Sequence, residues 1–119
     1  MGSLIYGSAA IEIDFDDRVL AHLEAVFNAK LRRRESFLFS WRDDPSVGDG
    51  RSSIWVDSSI PMYFKFSGSR VPVLDKEWLE ELVLDASSTR GLALGDDPNV
   101  DASIKATDNS VKRKDHPAR

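Results

Sequence analysis

Apolar and polar positions alternate and recur along this chain in a way that predicts its elements in order. Leu4-Ile5-Tyr6 is short and β-favouring, and Gly7-Ser8 is a turn signal. From Ala10 to Phe15 the pattern has period two, with Ile11, Ile13 and Phe15 on one side and Glu12 and Asp14 on the other. That predicts a β-hairpin closed by a two-residue turn. The period then changes. Leu20, Leu23, Phe27 and Leu31 recur at helical spacing, widened by Val19 and Val26. Asp16 is placed to cap this helix, and Phe15 and Leu20 stand at hydrophobic-staple spacing around it. Arg32-Arg33-Arg34 suits the C-terminal end, where the helix dipole favours cations.

Three strands are expected next. Phe37–Trp41 places Phe37, Phe39 and Trp41 on one side. Ser53–Asp57 opposes Ile54 and Val56 to Trp55, and Met62–Phe66 opposes Met62, Phe64 and Phe66 to Tyr63 and Lys65. The connections are short, which predicts antiparallel neighbours, and Pro61 falls at a strand start, where its missing N–H is tolerated. A second helix is capped by Asp75, stapled by Leu74 and Leu79, and carries a core stripe of Trp78, Leu79, Leu82, Val83 and Ala86. Gly91 suits its stop, and Leu92-Ala93-Leu94 follows as a short edge strand or coil. From residue 95 the aromatic residues cease and Asp, Lys, Asn and Ser dominate, so a disordered polar tail is expected over 95–119. The order ββ-α-βββ-α predicts one α+β domain over residues 1–94, an antiparallel sheet with both helices packed on one face.

Composition narrows the chemistry. The 119 residues hold no cysteine, which excludes disulfides, thiolate metal sites and cysteine nucleophiles. No apolar run approaches the ~20 residues of a membrane helix. Met1-Gly2-Ser3-Leu4 lacks the basic and apolar regions of a signal peptide, and Tyr6 stands where a myristoylation motif requires Ser or Thr. A cytoplasmic protein is expected. The net charge of −4 argues against strong non-specific binding to nucleic acid.

Four patterns have the residue types of a site. Gly48-Asp49-Gly50-Arg51 resembles a phosphate loop only superficially: no lysine follows, a strand and not a helix comes next, and position 53 is Ser53. Turn chemistry accounts for it and for Asp43-Asp44-Pro45, leaving Arg51 as a residue able to hold an anion. The run Glu12, Asp14, Asp16, Asp17 offers a carboxylate pair for a divalent cation, but alternation sends Glu12 and Asp14 to solvent and capping employs Asp16. No metal site is expected. Lys30 with Arg32-Arg33-Arg34 reads as dipole compensation. A serine-histidine triad lacks its histidine, since His22 is expected to face solvent and His116 lies in the tail. What remains is a set of rings beside cations: Arg42, Arg51, Trp55, Tyr63 and Lys65 are expected on or beside an open sheet face, the arrangement of stacking platforms for single strands.

The blocks "LIYGSAAIEIDFDDRVLAHL", "KLRRRESFLFSW", "GRSSIWVDSSIPMYFKF" and "LDKEWLEELV" together resemble a family of small actinobacterial domains of unknown function, whose members often carry the label "ATP-dependent DNA ligase". The resemblance spans about residues 1–94 and implies nucleotidyl transfer with ATP as cofactor. Such a ligase uses a lysine nucleophile in Lys-x-Asp-Gly-x-Arg. Around Asp49-Gly50 the lysine position is Val47 and the arginine position is Ser52. The residues therefore favour a small non-catalytic binding or accessory module without a cofactor, with nucleic acid or a DNA-processing protein as partner. The rival readings are the ligase itself, or a protein-interaction module that dimerises through a sheet edge.

Overall fold

The computed structural model describes residues 1–43, 46, 48 and 50–95. Asp44, Pro45, Val47, Asp49 and the expected tail beyond residue 95 lie outside them. Eight elements follow in order: β1 (Gly2–Tyr6), β2 (Ile11–Phe15), α1 (Asp17–Arg32), β3 (Phe37–Arg42), β4 (Arg51–Val56), β5 (Met62–Lys65), α2 (Lys76–Ala86) and β6 (Leu92–Ala93). The α+β class and the element order match the sequence pattern, and Leu92–Ala93 is a strand. No helix among the described residues is long and apolar enough to cross a membrane.

The single antiparallel sheet does not form. The strands divide into two three-stranded sheets, β2-β1-β5 and β4-β3-β6. All pairings are antiparallel except β3 with β6, which run parallel. The expectation failed at the link between β4 and β5. Short connections favour pairing of sequential strands, yet β5 crosses to β1, with Ile5 opposite Tyr63. Two local features turn the chain away. The Asp57 carboxylate collects the hydroxyls of Ser36 and Ser59 and the Ser59 amide. The carbonyl of Pro61 accepts from Gly7 N at 2.8 Å, which starts the β1–β5 ladder.

The first hairpin also closes differently. Tyr6 pairs with Ile11, so the loop has four residues and not two. Gly7 and Ala10 both take positive φ, 77° and 55°, and Ala10 N donates to Gly7 O at 3.0 Å.

Both sheets turn their apolar faces to one core. Leu4, Ile13 and Phe15 come from the first, and Phe37, Phe39, Trp41, Val56 and Leu92 from the second. Phe15 touches Phe39 and Trp41 directly, at centroid distances of 6.1 and 6.3 Å. Phe27 of α1 meets Phe37 and Phe39 of one sheet and Phe64 of the other, each edge-on. The helices therefore do not share one face of one sheet: α1 packs on β1 and α2, while α2 packs on β3 and β6. The caps are as the sequence predicts. Asp16 accepts from Arg18 N, and Asp75 from Glu77 N and Trp78 N. Leu20, Leu23, Val26 and Phe27 are buried on the α1 stripe, each contributing ~1.5–3 kcal/mol by leaving water.

Candidate functional site

Splitting the sheet splits the five candidate residues. In β3 and β4, period-two alternation sends Leu38, Ser40 and Arg42, with Arg51, Ser53 and Trp55, to the side opposite Phe37, Phe39 and Trp41. The register sets Leu38 opposite Trp55, Ser40 opposite Ser53, and Arg42 opposite Arg51. Arg42, Arg51 and Trp55 therefore share the outer face of the second sheet. Tyr63 and Lys65 lie instead on the outer face of the first sheet, beside Ile5 and Ser3.

The face of the second sheet is locally basic in an acidic chain. Arg42 and Arg51 are exposed and stand directly across from one another. Like charges in that position repel. Neither forms an ion pair with any described residue. Among the described residues Arg51 Nη2 donates to Ser40 Oγ at 3.3 Å. Four residues along β4, about 13 Å at strand rise, Trp55 is 54% exposed, while Trp41 and Trp78 are buried. The loop feeding Arg51 is a hairpin connection, closed by Asp43 N on Gly50 O at 2.9 Å and by Ser52 Oγ on Asp43 Oδ1 at 2.8 Å. One side-chain contact reaches each edge of this sheet. Tyr6 Oη donates to the carbonyl of Trp55, and Ala93 N donates to Asp85 Oδ2 at 3.2 Å. These contacts blunt the sheet against edge pairing.

At the Trp55 end the face runs into a cleft of about 190 Å³, where the turn after α2 passes the start of β3. Trp55 and Leu38 line it together with Ser87, Ser88, Thr89 and Gly91. Lys30 lines it although only 7% exposed. Its Nζ donates to Ser87 Oγ at 3.0 Å and pairs with Glu35 Oε1 at 2.9 Å. The bond from Lys30 is the main reason that the Glu35 carboxyl lies below its ordinary range. The sequence reading grouped Lys30 with the exposed arginines and missed it. The signal was there: Lys30 follows Leu23 and Phe27 by seven and three residues, on the apolar stripe of α1.

His22 is a correction. It is fully buried, not exposed, and its ring lies 4.5 Å from that of Trp78. Nδ1 bonds Arg18 O and Nε2 accepts from Asp75 N, both at 2.8 Å. Both nitrogens serve the packing of α1 on α2, and none is left for substrate.

The acidic run disperses. Glu12 and Asp14 are exposed on β2, each within hydrogen-bond reach of Ser3 Oγ at 3.0 and 2.8 Å. Asp17 holds the chain after β5: amides of Gly68 and Ser67 donate to its carboxylate and lower its pKa. Among the described residues, no group of three or more His, Asp or Glu side chains is placed to hold a metal ion.

Asp57 carries the largest carboxylate shift. Hydrogen bonds from Ser36, then from the Ser59 hydroxyl and amide, lower it from 3.8 to about 2. A depressed folded-state pKa contributes stability above the unfolded value, and that contribution is lost as pH falls through the folded one. Asp57→Asn is therefore expected to lower Tm at pH 6, with the gap to wild type closing between pH 4 and about 2. Melting curves across that range test it; a gap independent of pH would refute the assignment.

No curated protein and no solved structure matches the chain. A family model does match, over residues 1–97, which takes in both sheets, both helices and the basic face. The chain belongs to the family described as Domain of unknown function (DUF7882).

Proposed function

We propose that the domain is a non-catalytic binding module that takes single-stranded nucleic acid on the outer face of its second sheet. One observation carries the reading: Arg42 and Arg51 face each other across β3 and β4 without a partner carboxylate among the described residues, in line with the exposed ring of Trp55. Two adjacent guanidinium groups relieve their mutual repulsion on a phosphate, and an exposed indole stacks on any base. Ser53 between them is exposed and adds a hydroxyl contact to sugar or phosphate. A sheet face with cations at one end and a ring at the other suits an unpaired strand, whose bases can splay out onto the protein.

Binding of short oligonucleotides at low salt, followed by Trp emission, tests this. Because Trp41 and Trp78 are buried, quenching by ligand reports on Trp55. Arg42→Ala and Arg51→Ala should each flatten the dependence of log K on log salt by roughly 0.7. Trp55→Ala should weaken binding by ~1–3 kcal/mol. Tyr63→Ala and Lys65→Ala, on the other sheet, should leave it unchanged. Absence of binding at low salt, or equal sensitivity to the changes on the first sheet, would sink the reading.

A further inference from the structure

The cleft at the Trp55 end of the basic face has a chemistry of its own. An ammonium group carries three N–H donors. Those of Lys30 meet Ser87 Oγ and Glu35 Oε1, so one donor remains without a partner among the described residues. A charged side chain this deeply buried normally uses every donor, because each unused one forfeits hydration without replacement. Lys30 lines the cleft, which gives the remaining donor a place to act.

Two features decide what it would meet. Glu35 sits on Lys30 and offsets its charge, and the last turn of α2, whose dipole end disfavours anions, forms part of the wall. The site therefore suits a neutral acceptor and not a phosphate or carboxylate. Trp55 also lines the cleft, with Leu38 beside it in register, and an indole there suits a flat ring. Thr89 adds a hydroxyl that hydrogen-bonds to no described residue. At about 190 Å³ the space is below the ~300–1,000 Å³ of drug-sized pockets and near that of a single ring system.

We propose that this cleft binds one planar heteroaromatic base through its acceptor edge, stacked on Trp55 with Lys30 Nζ as donor. Among purines guanine fits best, since O6 and N7 present two adjacent acceptors on one edge, whereas adenine sets an amino donor beside N7 there. The inference rests on the strand-binding reading for its setting: the arginines hold the backbone, and the cleft takes one base and gives the site a preference.

Neutral nucleosides separate the two ideas, because they carry no phosphate for the arginines. The full chain is titrated with guanosine or inosine, which share the O6/N7 edge, and with adenosine, which lacks O6, by Trp emission and by calorimetry. The O6/N7 nucleosides are expected to bind at least fivefold more tightly than adenosine. Lys30→Met, which keeps the apolar stem and removes the donor, should abolish that preference with Tm checked alongside. Trp55→Leu, at an exposed position, should weaken both nucleosides about tenfold and serves as the second variant if Lys30→Met fails to fold. Arg42→Ala with Arg51→Ala should leave nucleoside binding unchanged. Failure of every nucleoside to bind overturns the cleft proposal, as does a preference that survives in Lys30→Met. If oligonucleotides still bind in an arginine-dependent way, the strand reading stands without the cleft. If guanosine binds through Lys30 and oligonucleotides do not bind, the strand reading falls and the cleft stands.

Discussion

Replacing Gly91 by alanine is expected to destabilise the fold by about 3 kcal/mol or more. Gly91 is buried and has a φ of +81°, in the left-handed region that costs a side-chain-bearing residue ~1–2 kcal/mol. The larger effect is steric. A Cβ at this position would lie 2.3 Å from the carbonyl oxygen of Leu38 and 3.1 Å from its carbonyl carbon. Both are backbone atoms of β3, so no rotamer change relieves the overlap. The close approach is what lets the chain leave α2, with Gly91 N on Ser88 O at 3.1 Å, and dock β6 beside β3 with Leu92 opposite Phe39. Separating the two backbones would draw fully buried Leu92 out of the core. Gly95→Ala is the control, since nothing lies within 4 Å of its Cβ and its φ is ordinary; a change within ~0.5 kcal/mol is expected there. Urea unfolding of the two variants decides the matter. If Gly91→Ala is as stable as Gly95→Ala, the close-approach account is wrong.

What could be read before the fold was known is what is local: Asp16 and Asp75 as caps, and the period change at Asp16. Gly91 was expected to stop α2, but the helix ends at Ala86 with Ser87 as its cap, and the glycine serves the approach to β3 instead. The strands were equally legible as strands. Their partners were not, because pairing depends on contacts far apart in the chain: Pro61 with Gly7, Trp55 with Tyr6, Ser36 with Asp57. A reader of the sequence sees β3, β4 and β5 in a row and has no local reason to send β5 to β1.

The candidate site inherits that limit. Alternation within β3 and β4 places Arg42, Arg51 and Trp55 on one side, and those three do share a face. Alternation within β5 places Tyr63 with Lys65, which also holds. Joining the two sets assumed a single sheet, so the five never converge. The cleft was beyond reach for the same reason, since its walls come from the end of α1, the start of β3, the end of β4 and the turn after α2. Only the place of Lys30 on the apolar stripe of its helix hinted at it.

His22 tests how firmly α2 is held over that cleft. His22→Ala is expected to cost about 3–4 kcal/mol, combining a cavity with a stranded backbone amide. A backbone carbonyl only accepts and a backbone amide only donates. His22 must therefore carry its proton on Nδ1 against Arg18 O and leave Nε2 bare for Asp75 N. Asp75 is the N-cap of α2, and its carboxylate lies 3.8 Å from Arg18 Nη2. One imidazole thus ties the first turn of α1 to the cap of α2 and fills the space against Trp78. The two contributions separate by substitution. His22→Leu keeps the bulk and loses the acceptor, whereas His22→Gln retains an amide oxygen that can accept from Asp75 N. Glutamine should exceed leucine in stability by ~1–3 kcal/mol if the hydrogen bond matters, since the stranded amide bears most of the loss. Amide exchange gives an independent readout: the Asp75 N–H should lose protection in the leucine variant and keep it in the glutamine variant. Equal stability of the two, with unchanged exchange at Asp75, would reduce His22 to a space-filler. The far end of α2 supplies Ala86 and, just beyond it, Ser87 to the Lys30 cleft. A helix loosened at its cap should therefore also weaken whatever the cleft holds, so His22→Ala is expected to lower ligand affinity without touching a ligand atom.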